Sequence, residues 1–133
     1  MSPTLLLVRR VGESPLNSED AMQYALLIHA APDQEEALTD AEREAAYAEY
    51  LTLADDTRCV VAAQLQPVEM TTGVRVAGGR TLITDGPFAD TKEVLGGICL
   101  IEATDLDEAI EIASHVPAAR YGGTVEIRPV VPR

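Results

Sequence analysis

The charged side chains between residues 85 and 93 are the densest group with chemical potential in the sequence. Three carboxylates, Asp85, Asp90 and Glu93, flank Lys92, which is the only lysine of the chain. A carboxylate in a suitable environment moves protons, and a cation beside it binds a substrate anion. We therefore predict Asp85 and Asp90 as catalytic residues and Lys92 and Glu93 as substrate-binding residues. The alternative is that these side chains only shape the loop and a dimer seam.

One histidine and two arginines complete the predicted site. His29 ends an apolar stretch and shares its strand parity with Ala25 and Leu27. A histidine near its ordinary pKa of about 6.5 moves protons at neutral pH, which makes His29 a candidate base. Arg75 and Arg80 flank a glycine pair and are suited to hold a carboxylate by bidentate hydrogen bonds. The structural alternatives are a satisfied histidine at a strand end and arginines paired with surface acids.

Cofactor, metal and targeting signals are missing from the sequence. It contains no phosphate-binding glycine loop, nucleophile elbow or zinc-spaced cluster, so we predict no metal and no cofactor. Cys59 and Cys99 lie in separate apolar runs, which predicts buried thiols. A membrane span needs about 20 apolar residues, and the apolar run at 5–8 is too short for a signal peptide. We therefore predict a cytoplasmic protein that does not contact a membrane.

Length and charge limit the organisation further. The 133 residues, of which 47% are hydrophobic, suffice for one packed domain. The net charge is −12, and nine acids between Asp33 and Asp56 are accompanied only by Arg43, so direct binding to nucleic acid is not expected. Residues 1–21 are rich in turn formers and are expected to be an N-terminal extension of a domain at 22–133. Translation starting at Met22 would leave residues 1–21 outside the native protein.

The hydrophobic pattern predicts an α+β domain with a ferredoxin-like split βαβ arrangement. The expected strands cover 22–30, 59–65, 74–77, 80–84, 97–103 and 124–130. The expected helices run from about Asp40 to Ala54, after a capping box at Thr39 and Glu42, and from the cap Thr104 to before Pro117. Gly78 and Gly79 suit a hairpin turn. Right-handed crossovers place both helices on one sheet face, and the opposite, apolar face then predicts a homodimer.

A short motif carries a resemblance to a known family. Residues 85–97 read DGPFADTKEVLGG, which closely resembles the DGPF signature of the YCII-related proteins, and the similarity extends from residues 22–28 to residues 118–122. The resemblance implies a ferredoxin-like subunit that pairs into a dimeric α/β barrel. That superfamily includes small isomerases, lyases and dehydrochlorinases acting on ring-cleavage products. It also implies association with sigma factors of the extracytoplasmic-function type.

The sequence departs from the wider family at one position of interest. YCII-like proteins are associated with a histidine–aspartate pair whose histidine lies at the start of the first helix, where this chain offers Arg43, Tyr47 and Tyr50. Two hypotheses follow. The first is a cofactor-free enzyme that transfers protons on a small anionic metabolite, as an isomerase or lyase. The second is a non-catalytic protein that binds a small molecule or assists a sigma factor.

Overall fold

The computed structural model describes residues 6–8, 22–87 and 91–132 of the chain. The strands are β1 (Leu6–Val8), β2 (Met22–Ala30), β3 (Cys59–Gln64), β4 (Thr72–Ala77), β5 (Arg80–Asp85), β6 (Val94–Ala103) and β7 (Thr124–Pro129). The helices are α1 (Pro32–Glu36), α2 (Asp40–Asp55), α3 (Leu106–Ser114) and α4 (Pro117–Arg120), with a 3-10 turn at Val68–Met70. No helix in these described ranges is long and apolar enough to cross a bilayer.

The main sheet has five strands in the order β1-β3-β6-β2-β7, and all neighbours are antiparallel. Without β1, the order β3-β6-β2-β7 is the strand order of the split βαβ fold. In that fold, the two strands that a crossover helix connects have a third strand between them. The chain is therefore α+β and ferredoxin-like, as predicted. β1 lies within the predicted extension at 1–21 and pairs with β3, with Leu7 opposite Ala62.

Alternate residues of the strands form the core beneath the helices. Tyr24 and Leu26 of β2 pack with Cys99 and Ile101 of β6, all at most 2% exposed, and with Ala109 of α3. Ala54 of α2 belongs to the same cluster. Helices α2, α3 and α4 thus pack against one face of the sheet, which we call the covered face. Since apolar burial contributes roughly 25 cal/mol per Å², this face supplies most of the folding stability.

Side-chain caps decide where the two long helices begin. Thr39 accepts a hydrogen bond from the Glu42 amide, and the Glu42 carboxylate accepts one from the Thr39 amide, so the predicted capping box is present. The predicted cap of α3 is wrong by one residue. Asp105, rather than Thr104, is the N-cap, because its carboxylate accepts from the Glu108 amide at 2.9 Å.

Strands β4 and β5 form a separate two-stranded hairpin, residues 72–85, which we call the arm. Gly78 and Gly79 form its turn with φ angles of 58° and 74°, which only glycine adopts freely. Every residue of the two strands except Gly73 is exposed. The arm therefore projects from the domain as an extended ribbon, roughly 20 Å long at 3.3 Å per residue.

Candidate functional site

A histidine and a glutamate meet on the sheet face opposite the helices, which we call the helix-free face. Nε2 of His29 on β2 forms a hydrogen bond with Oε1 of Glu126 on β7. The two residues are 97 positions apart in sequence, and β7 lies beside β2 because of the split βαβ strand order. Their side chains are 27% and 50% exposed, so both the imidazole and the carboxylate are accessible to a ligand.

A bulge in the sheet adjusts the position of His29. Ile28 pairs with Gly97, but the next residue, His29, pairs with Leu95, so β6 contributes one extra residue at this point. A β-bulge bends its strand and re-aims neighbouring side chains, and bulges are frequent next to functional sites. The extra residue is Gly96, part of the glycine pair that ends the signature motif. The motif therefore shapes the sheet directly opposite the histidine.

The floor of the helix-free face is apolar and its β7 edge is polar. Leu27 lies between Ile98 and Glu126, because it pairs with both across its neighbouring strands. Ala25 lies in the same way between Leu100 and Arg128. A ligand on this face would meet apolar side chains beneath it, a histidine–carboxylate pair at one end and an arginine along the same edge.

The signature loop reaches the same end of the sheet. Ala30, the residue after His29, pairs with Val94, so Lys92 and the residues that follow Ala30 come together. A shallow pocket of about 310 Å³ lies there, lined by Pro32, Asp33, Thr91 and Lys92. Its size is at the lower end for small-molecule sites. Lys92 therefore lies near the end of the strand that carries His29, in a pocket whose lining does not include His29 itself.

The structure distributes the other predicted site residues more widely. Asp85 is exposed at the base of the arm, opposite Thr72, whereas Arg80 lies at the arm's tip. Arg75 lies between base and tip, opposite Leu82. These arginines lie along the arm rather than at the end of β2.

Two further predicted site residues, Glu93 and Asp90, belong to the signature loop. Glu93 is half-buried, and its Oε1 atom is buried and has no hydrogen-bond partner among the described residues. Asp90, predicted as catalytic, lies outside the described residues. Within residues 22–87 and 91–132, no group of three or more His, Cys, Asp or Glu side chains is arranged to hold a metal ion.

The signature motif and the split βαβ sheet are both present, and the family comparison agrees with them. The family model described as "YCII-related domain" matches residues 22–133, which is most of the chain. The chain belongs to the YCII-related domain family. The match begins at the first residue of β2.

A curated relative of this YCII-related domain is an uncharacterised protein of Rhizobium meliloti (strain 1021). The two are 41% identical over 69 residues, which cover 51% of this chain and 56% of the relative. The chain therefore spans about half the length of the curated relative it matches. The relative's name states no activity, so the chemistry must be argued from the residues of this domain.

The first long helix of this YCII-related domain, α2, contains no histidine. Arg43 donates hydrogen bonds to the carbonyl oxygens of Glu35 and Leu38, at 3.2 and 3.4 Å, and so ties α1 to α2. Tyr47 is 40% exposed. Burial, together with the nearby charge of Glu35, raises the pKa of Tyr50 to about 12, so its phenol stays protonated.

Sequence reasoning missed Glu126 as a site residue. The alternation of Thr124, Glu126 and Arg128 with Val125 and Ile127 indicated that Glu126 faces away from the helices. The split βαβ order indicated that the last strand lies beside the first. The register between these strands was the missing information, because it decides which residue of β7 comes next to His29.

Proposed function

We propose that this YCII-related domain is a cofactor-free proton-transfer enzyme, of isomerase or lyase type, that acts on a small anionic metabolite. The hydrogen bond between His29 and Glu126 on the helix-free face is the observation that carries the proposal. A carboxylate that accepts from one imidazole nitrogen holds the ring in a defined orientation and tautomer. A pair of this kind is a general base in many enzymes.

The pair assigns a role to each imidazole nitrogen of His29. With the proton on Nε2 donated to Glu126, Nδ1 carries the free lone pair. Nδ1 takes a proton from a substrate carbon next to a carbonyl, and the electron pair of the broken C–H bond moves into the substrate as an enolate. The Glu126 carboxylate stabilises the imidazolium that forms. Return of the proton to another carbon gives an isomer, whereas loss of a leaving group gives elimination.

Two cations fit the anionic charge of the substrate. Lys92 lines the pocket beside the residues that follow His29, and Arg128 lies further along the same face of β7 as Glu126, opposite Ala25. A substrate carboxylate bound by Lys92 would direct its adjacent C–H bond toward the end of β2 that carries His29. Asp85, Asp90 and Glu93 remain proposed site residues on the strength of their place in the signature loop.

Proton exchange with solvent tests this proposal without knowledge of the product. The protein is incubated in D₂O with a panel of small 2-oxo acids, β-keto acids and unsaturated dicarboxylates, and loss of each C–H signal is followed by proton NMR. We expect exchange with at least one compound, and a decrease of about 100-fold or more in His29→Asn. Glu126→Gln should retain part of the exchange rate, because the substitution disturbs the orientation of the His29 imidazole but does not remove the imidazole.

The second histidine provides the control for that experiment. His115 is the exposed C-cap of α3, away from the β2–β7 edge, so His115→Asn should exchange at the wild-type rate. Equal rates in wild type and His29→Asn would overturn the assignment of His29 as the base. Absence of exchange across the whole panel, with no compound bound, would count against the reaction class.

A non-catalytic binding function is the second candidate, and one observation favours it. The pocket of Pro32, Asp33, Thr91 and Lys92 offers a cation and a carboxylate to a ligand without requiring the histidine. A thermal-shift screen with the same panel separates the two functions, since a ligand that binds the folded state raises its apparent stability. Stabilisation without proton exchange would support a sensor or an accessory protein, such as a partner of a sigma factor.

We also propose that the chain is a homodimer formed through the helix-free face. Leu95 and Ile98 are 41% and 38% exposed on this face, and Leu27 and Leu100 lie beside them. A contiguous apolar patch on a sheet face is a common site of association. A second copy would cover this patch, sheet against sheet, and enclose the histidine–carboxylate pairs of both chains. Light scattering at micromolar concentration measures the oligomeric state directly.

A further inference from the structure

The arm has two chemically different faces. Val74 pairs with Ile83 and Val76 pairs with Thr81, so these four side chains share one face, which we call the apolar arm face. Val74, Val76 and Ile83 are 64%, 71% and 66% exposed, among the highest values for large apolar residues of the described chain.

The opposite face of the arm carries cations. Arg75 pairs with Leu82, and Arg80 pairs with Ala77, so both arginines lie on this second face as diagonal neighbours. Within the described part of the chain, neither arginine forms an ion pair or a side-chain hydrogen bond. The arm therefore offers an apolar surface on one side and, on the other, two cations without an ion pair among the described residues.

An isolated hairpin of this kind is not stable on its own. A two-stranded ribbon in water is marginal, and it usually needs a third strand or another surface against one face. The arm's own domain does not supply that surface, because every strand residue except Gly73 is exposed. A partner that covers one face of the arm would therefore stabilise this conformation.

The charge of the arm identifies the kind of partner. Its charged residues are Arg75, Arg80 and Asp85, which give the arm a formal charge of +1. Because the net charge of the whole chain is −12, the residues outside the arm carry −13. A cationic ribbon on a strongly acidic protein is complementary to the body of another copy of the same protein. Two copies repel each other overall, and the arm is the segment whose charge opposes that repulsion.

A complementary surface lies at the end of the sheet from which the arm leaves. The amide of Gly86 donates to the carbonyl of Thr71 at 2.7 Å and closes the arm's base, near the start of β6. At the same end, the helix-free face exposes Leu95 and Ile98 of β6, and the carboxylate of Glu126 lies on β7, across β2 from Ile98. This surface pairs apolar side chains with a negative charge, and the arm pairs apolar side chains with a positive charge.

We propose that the arm binds a second copy of this chain, with its apolar face against the exposed end of that copy's helix-free face and its arginines near the carboxylate of Glu126. The proposal extends the homodimer proposed above and rests on it, but it is independent of the proton-transfer chemistry. Two arms exchanged in this way form a symmetric contact in which each copy gives and receives one arm.

The test compares two adjacent residues on opposite faces of the arm. Ile83→Asp places a charge on the apolar arm face, and Leu82→Asp places the same charge one residue away on the cationic face. By light scattering over a dilution series, we expect Ile83→Asp to raise the dimer dissociation constant about 100-fold. Leu82→Asp should change it by less than about threefold, because its contact with the arginines is favourable.

Hydrogen exchange locates the contact in the full chain. Amides of residues 72–85 should be protected in the wild-type dimer and lose that protection in Ile83→Asp, while β2 and β6 keep theirs. Val74→Thr, which keeps the shape of the side chain, serves as a second variant if Ile83→Asp does not fold, and it should weaken the dimer about tenfold. A dimer whose arm is unprotected, equal effects of the two aspartates, or a wild-type monomer would each overturn the proposal.

These results separate the arm from the site. An unprotected arm in a protein that still exchanges substrate protons through His29 rejects the arm contact alone. A protected arm in a protein without proton exchange rejects the proposed reaction and leaves the arm contact standing.

Discussion

The two faces of the central sheet are formed by alternate residues of the same strands, yet they differ in almost every property. On the covered face, Leu26 and Ile101 are 0% and 1% exposed beneath the helices. On the helix-free face, Leu27 is half-buried, Ile98 is 38% exposed, and the histidine–carboxylate pair stands at the edge. The comparison indicates that stability is concentrated on one face, whereas the accessible polar pair and the exposed apolar side chains lie on the other.

The largest expected effect concerns the thiols of the covered face. The sulfurs of Cys59 and Cys99 lie 3.4 Å apart within the core, and the hydrogen bond with Cys59, together with burial, raises the pKa of Cys99. Because the thiolate is the nucleophile, alkylation by iodoacetamide at pH 8 should be at least about 1,000-fold slower in the native protein than in guanidinium. Mass spectrometry over time measures both rates. Labelling within minutes under native conditions would show that the covered face opens readily.

Substitutions of two adjacent leucines compare the contributions of the two sheet faces to stability. Leu26→Ala removes a fully buried side chain and leaves a cavity, which should lower the free energy of unfolding by about 3 kcal/mol. Leu27→Ala removes the same atoms from the helix-free face, and its cost should be about half as large and dependent on protein concentration. Chemical denaturation at two protein concentrations measures both. Similar, concentration-independent losses would remove the distinction between the faces.

The association of the helix-free face is tested by a charge at its centre. Ile98→Asp should raise the dimer dissociation constant about 100-fold, because a carboxylate buried in an apolar interface lacks a partner. Thr124→Asp, at the polar β7 edge of the same face, is the control and should leave the dimer almost unchanged. Light scattering that finds Ile98→Asp as dimeric as wild type would place the interface elsewhere on the molecule.

The smallest effect concerns the helix layer that creates the covered face. Thr39→Ala removes the side-chain cap of α2 and should cost about 1 kcal/mol. Thr52→Ala, whose hydroxyl donates to the Ala48 carbonyl within the same helix, is the control and should cost less.

The capping box also makes part of the stability of α2 depend on pH. Hydrogen bonds with Thr39, chiefly from its backbone amide, lower the pKa of Glu42. Its contribution is therefore present above the ordinary glutamate pKa of about 4.3 and is lost as the pH falls through the lowered value. Melting curves from pH 7 to pH 3 should show the difference between Glu42→Gln and wild type decreasing at the acid end, where Glu42 becomes protonated in the wild type.

Much of the architecture could be predicted from the sequence because its signals are local. The capping box at Thr39 and Glu42, the turn at Gly78 and Gly79, and the strand at 22–30 each depend on residues a few positions apart. The alternation of apolar residues also indicated two sheet faces of unequal cover. The element order then favoured the ferredoxin-like arrangement, since few connections satisfy the handedness of the crossovers.

The tertiary structure alone decided which residues meet. His29 and Glu126 are separated by 97 positions, and their contact depends on the register of β2 with β7 and on the bulge opposite His29. Local preferences do not determine register between strands joined through helices, because it results from packing of the whole core. For the same reason the sequence indicated Arg80 and His29 as members of one site, whereas the extended arm carries Arg80 to its tip.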